Sequence, residues 1–199
     1  MELLLEIYTD GSFYKSPNRA GWGYLALHPD DRAIANYKER KVHHQAFGTV
    51  CLNKTDAANY LEAKAHTNNT GELSAIGKAL WWIKDELAAQ RLQDIDEVSI
   101  VSDSLYAIQM TRGTWKPQSN KSMIWRLKQL KKQAEEILPV RLRWTKAHTK
   151  EKTEEAFWND KVDGLAKEGA RSLVMRVVEE SGPVLGSAGD ADKANDSIR

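Results

Sequence analysis

The chain has 199 residues, which suits one domain better than two and can bury a sizeable core without disulfides. With 29 Lys+Arg against 28 Asp+Glu, the formal net charge of +1 excludes a strongly basic coat protein for nucleic acid but leaves room for a local basic patch. Cys51 is the single cysteine, so an internal disulfide framework is excluded. No apolar run approaches the roughly 18 residues of a membrane span, and the start, Met1 to Tyr8, lacks a basic leader. These features predict a cytoplasmic, nuclear or nucleoid location rather than secretion, and no membrane partner.

The first ten residues read as a strand, with Leu3, Leu5 and Ile7 on one face and Leu4 on the other. Apolar residues on both faces suit a central strand covered on each side. Asp10-Gly11-Ser12 is a turn signal. Gly21 to Leu27 reads as a second strand and His28 to Asp31 as a turn. The third strand has two candidate positions, Gln45 to Leu52 and Tyr60 to His66. From Glu72 the period changes: Leu73, Ile76, Leu80, Ile83 and Leu87 define an amphipathic helix capped by Asn69 or Thr70. Val98 to Val101 reads as a buried strand ending at Ser102-Asp103-Ser104. A short helix through Tyr106, Ile108 and Met110 is broken at Gly113 and Pro117. A further helix runs from Ser122 to Leu138 on Ile124, Leu127, Leu130 and Ile137, with Trp125 assigned to the core. Val140, Leu142 and Trp144 alternate as a strand, and Trp158, Val162, Leu165 and Ala166 mark a last helix. The domain is expected over 1–175. The stretch 180–199, rich in Gly, Ala, Asp and Ser, reads as a disordered tail.

Four carboxylates fall at element ends: Asp10 closing the first strand, Glu72 opening the long helix, Asp103 closing the fourth strand, and Asp163 on the last helix. If the first and fourth strands are parallel neighbours, Asp10 and Asp103 converge at one sheet edge, within reach of Glu72 and Asp163 from flanking helices. Like charges packed so closely repel unless a cation intervenes. An all-oxygen set favours Mg²⁺ or Mn²⁺. Each residue also has a plainer use: Asp10 as a turn former, Glu72 near a helix N-terminus, Asp103 as a helix cap.

At these residues the chain resembles type 1 ribonuclease H, the family with the DEDD carboxylate site. The matching segments are Ile7 to Ser12, Thr67 to Ile76, Val101 to Ser104, Trp144 to His148 and Asn159 to Ala166, in the family's order. The resemblance implies an α/β fold with a five-stranded mixed sheet in the order 3-2-1-4-5 and helices on both faces. It implies a metal-dependent endoribonuclease that cuts the RNA strand of an RNA/DNA hybrid, leaving a 3′-hydroxyl and a 5′-phosphate. Two Mg²⁺ ions, with Mn²⁺ as a substitute, would be held by Asp10, Glu72, Asp103 and Asp163. His148 matches a loop histidine that assists proton transfer or product release. Gly11, Ser12, Thr67, Asn68, Asn69, Ser104 and Asn159 match substrate-contact positions, with Gly11 allowing close approach of the backbone to RNA. The protein is expected to act as a monomer. Two other readings stay open: a nuclease of this fold acting on another nucleic acid, and a non-catalytic relative.

The chain departs from the family in three places. The long basic protrusion is absent or cut to Thr111–Lys121, although Trp115 and the following Lys128, Lys131 and Lys132 offer a basic, partly aromatic surface for a phosphate backbone. An insertion around 29–66 is expected to form an extra hairpin or flap. The loop from His148 to Asp163 is also longer than in compact relatives.

Overall fold

The computed structural model describes residues 3–146, 152–172 and 176–179; His148 and the tail 180–199 lie outside the described residues. Among the described residues, six strands and four α-helices follow in the order β1 (Leu4–Tyr14), β2 (Arg19–Leu27), β3 (Val42–Thr49), α1 (Asn68–Ala88), β4 (Glu97–Ser102), α2 (Leu105–Arg112), α3 (Lys121–Glu135), β5 (Val140–Trp144), α4 (Glu154–Arg171) and β6 (Arg176–Glu179). The sheet order is β5-β4-β1-β2-β3-β6. The expected order 3-2-1-4-5 is therefore present, and β6 extends it by pairing antiparallel to β3. β1, β4 and β5 are mutually parallel, while β2 runs antiparallel to both β1 and β3.

The strand pattern explains the layering. Leu5, Ile7, Val98, Ile100, Val140 and Leu142 point to one face, where α1, α2 and α3 bury them. Tyr8, Leu25, Leu27 and Val101 point to the other and meet Trp158 and Val162 of α4. Each fully buried Leu or Ile contributes about 1.5–3 kcal/mol of transfer free energy. α4 lies close on β2 and β3 through small residues: a methyl group on Gly169 would come within 2.5 Å of the Gly48 carbonyl.

Several local expectations are corrected. Asp10-Gly11-Ser12 is not a turn: β1 continues to Tyr14, because β2 supplies partners as far as Tyr14↔Arg19. What ends at this point is the pairing with β4, whose last pair is Thr9↔Ser102. The third strand is Val42–Thr49, which takes up the first of the two candidate positions, while Leu61 and Ala63 are buried within irregular chain. Thr67, not Asn69 or Thr70, caps α1, in a reciprocal capping box with Thr70. Ser104, not Asp103, caps α2. Ile137 lies beyond α3 and is 63% exposed; Trp125, assigned to the core, is 61% exposed.

The 29–66 insertion holds two single 3-10 turns (Pro29–Ala33 and Tyr37–Glu39) and β3 itself rather than an additional hairpin. It is tied to the start of α4. Buried Arg40 pairs with Glu6 at 2.8 Å and Glu154 at 2.5 Å, and the Tyr37 hydroxyl donates to the Lys152 carbonyl at 3.3 Å.

Candidate active site

Asp10 is the first residue of β1 past the last β1–β4 pair, and Asp103 directly follows β4. Parallel pairing thus delivers both carboxylates to the same sheet end. Glu72 comes from the second turn of α1, which lies against β1 with almost no clearance. A methyl group on Gly11 would come within 2.1 Å of the Glu72 amide nitrogen. Gly11 therefore has a packing role: the side where a side chain would stand faces α1, and its absence lets Glu72 come up to Asp10.

Asp10, Glu72 and Asp103 each offer an oxygen within 4.8 Å of the others, a group able to hold a metal ion. Asp163 lines the same cleft but is turned to Lys167, whose Nζ donates to its Oδ2 at 2.5 Å. The cleft measures about 450 Å³, and Gly11, Ser12, Asn68 and Ser104 also border it. Asp10 and Glu72 are 5% and 6% exposed. Burial, reinforced by the Asp103 charge, pushes the Asp10 carboxyl up to about 8, against the pull of the Gly11 N–H that donates to it at 2.7 Å. Burial likewise raises Glu72 well above the usual carboxylate range, with the charges of Asp10 and Asp103 adding to the effect.

The donor set fits a hard divalent cation. Glu72 Oε2 is buried without a hydrogen-bond partner among the described residues, and an unsatisfied carboxylate oxygen is costly unless a ligand completes it. Among the described residues, three carboxylates with no nitrogen or sulfur donor beside them suit Mg²⁺ or Mn²⁺.

The remaining predicted contacts separate into groups. Asn68 Nδ2 lies 3.5 Å from Glu72 Oε1 at the cleft edge. Thr67 and Asn69 are exposed at the start of α1, adjoining the cleft without lining it. Asn159 is 1% exposed and donates to Asp103 Oδ2 at 3.1 Å, so it sits behind the carboxylate rather than in the cleft. Trp115 is exposed beyond α2, Lys128 lies beside Gly113, and Lys132 is exposed on α3. Lys131 pairs with Glu135 and borders a different cavity with Leu4, Glu97 and Arg141, toward the opposite end of the sheet. Trp115, Lys128, Lys131 and Lys132 are not brought to the carboxylates. Lys167 was missed in the sequence, although its i,i+4 spacing from Asp163 marks it.

A carboxylate cluster built from two parallel strand ends and a flanking helix defines an α/β protein whose site could coordinate a cation. The family model described as RNase H matches residues 4–171, and the chain belongs to the RNase H family. A ribonuclease H of Treponema denticola is 28% identical over 116 residues, covering 56% of this chain and 59% of that relative. The chain thus matches less than two thirds of that relative's length. Among solved structures, the N-terminal RNase H domain of a Mycobacterium tuberculosis protein aligns with a TM-score of 0.55 at 16% identity, covering 85% of this chain and 95% of that one. LC11-RNase H1, isolated from compost by a metagenomic approach and solved with an RNA/DNA hybrid, aligns with a TM-score of 0.56 at 17% identity, covering 84% and 96%. These likenesses describe the fold. Among the described residues, no helix is long and apolar enough to cross a membrane.

Proposed function

We propose that this protein is a ribonuclease H: an endonuclease that hydrolyses the RNA strand of RNA/DNA hybrids, leaving 3′-hydroxyl and 5′-phosphate ends. The observation that carries the reading is the convergence of Asp10, Glu72 and Asp103 around a buried, unpartnered Glu72 oxygen. Asp10, Glu72, Asp103 and Asp163 would hold two Mg²⁺ ions, with Mn²⁺ able to substitute. When bound, these ions activate water and stabilise the departing oxygen in phosphodiester hydrolysis. Asp10, which shares its cluster with Glu72 and Asp103 and its cleft with Asp163, would be the carboxylate common to both ions. Asn159 orients Asp103 through its amide. His148, which precedes α4 in the sequence, would take the proton-transfer or product-release role.

Selection of a hybrid rests on the groups at the cleft edge. Asn68, Asn69, Ser12 and Ser104 present hydrogen-bonding groups that can sense a 2′-hydroxyl, which both donates and accepts. Family membership and the hybrid complex of LC11-RNase H1 support the same substrate. The test is cleavage of end-labelled hybrid, double-stranded RNA, double-stranded DNA and single strands, each with Mg²⁺, Mn²⁺ or EDTA. Cutting of the RNA strand of the hybrid, abolished by EDTA, is expected. Equal cutting of double-stranded RNA or of DNA would overturn the substrate assignment. No cutting of any substrate would favour the non-catalytic relative.

A further inference from the structure

Away from the carboxylates, a second pocket of about 310 Å³ opens between α1 and the face of β2 and β3. Its lining is aromatic. Trp22, Tyr24 and His44 come from the strands, and Trp81 and Trp82 from α1. The rings form a near-parallel series: Trp22 with Tyr24 at 6.2 Å and 13°, Tyr24 with His44 at 5.6 Å and 22°, and His44 with Trp82 at 4.6 Å and 11°. The three strand residues are nearly fully buried, while Trp81 and Trp82 are half-buried and leave ring surface to the opening.

Two cations face these rings: the Arg126 guanidinium stands 5.3 Å from the Trp81 ring, and Lys78 is the one that also lines the pocket. Lys78 is only 8% exposed, with its Nζ 5.4 Å from the Trp22 ring and 5.2 Å from the Trp81 ring. Its hydrogen-bond acceptors are neutral: Asn59 Oδ1 at 3.1 Å and, at a long 3.4 Å, the Ala58 carbonyl. An ammonium has three donors, and among the described residues no carboxylate lies within ion-pair distance of this one. The rim charges are already matched. Asp85 pairs with Lys84 at 2.7 Å, and Glu86 takes both Nε and Nη2 of Arg91 at 2.7 Å. Lys78 thus has no carboxylate at contact distance; burial drives its ammonium down to about 8, and the charges of Cys51 and Asp56 oppose this only in part.

We propose that this pocket binds an unpaired nucleobase, stacked on the tryptophan rings with an oxygen or nitrogen acceptor turned to Lys78. A planar heterocycle uses the ring surface. Its carbonyl or ring nitrogen supplies the acceptor the ammonium lacks. An organic cation would use the rings but meet Lys78 with like charge. An inorganic anion would use Lys78 but leave the rings idle. At 1.5 Å of rise per residue, Lys78 stands about 9 Å along α1 from Glu72, so the pocket is a separate site on the same helix. The choice of a nucleobase among planar rings rests on reading the neighbouring cleft as a nuclease site. The base can belong to a free nucleotide or to an unpaired stretch of strand.

Tryptophan-quenching titrations in EDTA test the pocket without cleavage. The ligands are AMP, a short oligodeoxyadenylate and an abasic oligonucleotide of equal length. Saturable quenching by AMP or by the oligodeoxyadenylate, but not by the abasic strand, is expected. AMP alone marks the nucleotide as the source, and the oligonucleotide alone marks the strand. Trp82→Ala should weaken binding about tenfold. Lys78→Met, which keeps the buried stem, should weaken it about threefold. Thermal melts check the fold of both, and Lys78→Met suffices if Trp82→Ala does not fold. Quenching equal to that of the abasic strand, or unchanged affinity in a folded Lys78→Met, would overturn the proposal. So would displacement of the base by blunt-ended hybrid, which would place it in the carboxylate cleft. Base binding by a protein that cuts no nucleic acid would support the pocket and count against the ribonuclease reading alone.

Discussion

Gly11 and Glu72 touch main chain to main chain: a methyl group on Gly11 would lie 2.1 Å from the Glu72 amide nitrogen and 2.4 Å from the Gly71 carbonyl carbon. The atoms in the way are backbone, so no side chain can swing aside. Gly11→Ala must push α1 off β1, at an overpacking cost of about 1–3 kcal/mol or more. Because α1 carries Glu72, the same displacement opens the carboxylate cluster. The expected outcome is a lower urea midpoint together with loss of hybrid cleavage at any Mg²⁺ concentration. Wild-type cleavage by Gly11→Ala would show that Glu72 need not stand where this packing puts it.

Asp10→Asn separates function from stability. It should abolish cleavage, since Asp10 belongs to the carboxylate cluster that would hold the cation and an amide cannot replace its charge. Stability should change in the opposite direction. In metal-free protein the Asp10 carboxyl titrates near 8, far above its ordinary value, because burial and Asp103 disfavour its charge. The native state therefore binds more protons than the unfolded state between about pH 4 and pH 8, and stability falls as pH rises through that window. A neutral amide at this position removes the loss. In EDTA at pH 8 the variant should be more stable by several kcal/mol, on the order of 5, a difference that vanishes below pH 4. Urea unfolding across pH measures it, and a pH-independent difference would contradict the titration.

Much of the frame was legible because its signals are local. Alternation in β1 and β5 and the helical period after Glu72 follow from side-chain geometry alone, and a β1–β4 parallel pair is enough to bring Asp10 and Asp103 together. The failures have a common physical source. Asp10-Gly11-Ser12 has turn chemistry, yet β2 offers Gly23, Trp22 and Gly21 as partners and keeps the chain extended. Trp125 lies next to Ile124, but a helix turns about 100° per residue, which puts its ring outside. The third strand carries buried His44 and half-buried Gln45 where an apolar alternation was sought. The burial of Asn159 behind Asp103 is a tertiary feature that its position in the motif does not carry.

Asn159 is predicted to act through Asp103 alone. Its Nδ2 donates to Asp103 Oδ2, and its Oδ1 is buried without a partner among the described residues. Asn159→Ala frees Asp103 to rotate, and loss of a supporting hydrogen bond behind a metal ligand typically costs about 10–100-fold in affinity or activity. The Mg²⁺ concentration for half-maximal cleavage should rise, with KM for hybrid unchanged. A raised KM with normal Mg²⁺ dependence would place Asn159 in contact with substrate.

Lys167 competes for Asp163. Its Nζ donates to Asp163 Oδ2 at 2.5 Å, and this bond raises the Lys167 ammonium above its usual range, so it stays charged throughout the working pH range. The pair is i,i+4 on α4 and partly exposed, which limits it to about 0.5 kcal/mol. Any cation that takes Asp163 must first displace this ammonium. Lys167→Met keeps the stem and removes the competitor, so the Mg²⁺ requirement should fall by about twofold to threefold, in line with that small energy. The charge has a second effect at the same place: it draws the Asp10 carboxyl downward, against burial and the acidic neighbours. Without Lys167, Asp10 shifts further up, and the metal-free variant loses more stability between pH 4 and pH 8 than wild type. The two readouts move independently, one in Mg²⁺ titrations of cleavage and the other in urea unfolding with EDTA. An unchanged Mg²⁺ requirement would show that Asp163 does not bind the ion whose occupancy limits the rate. An unchanged pH slope would show that the ammonium is too well solvated to reach Asp10.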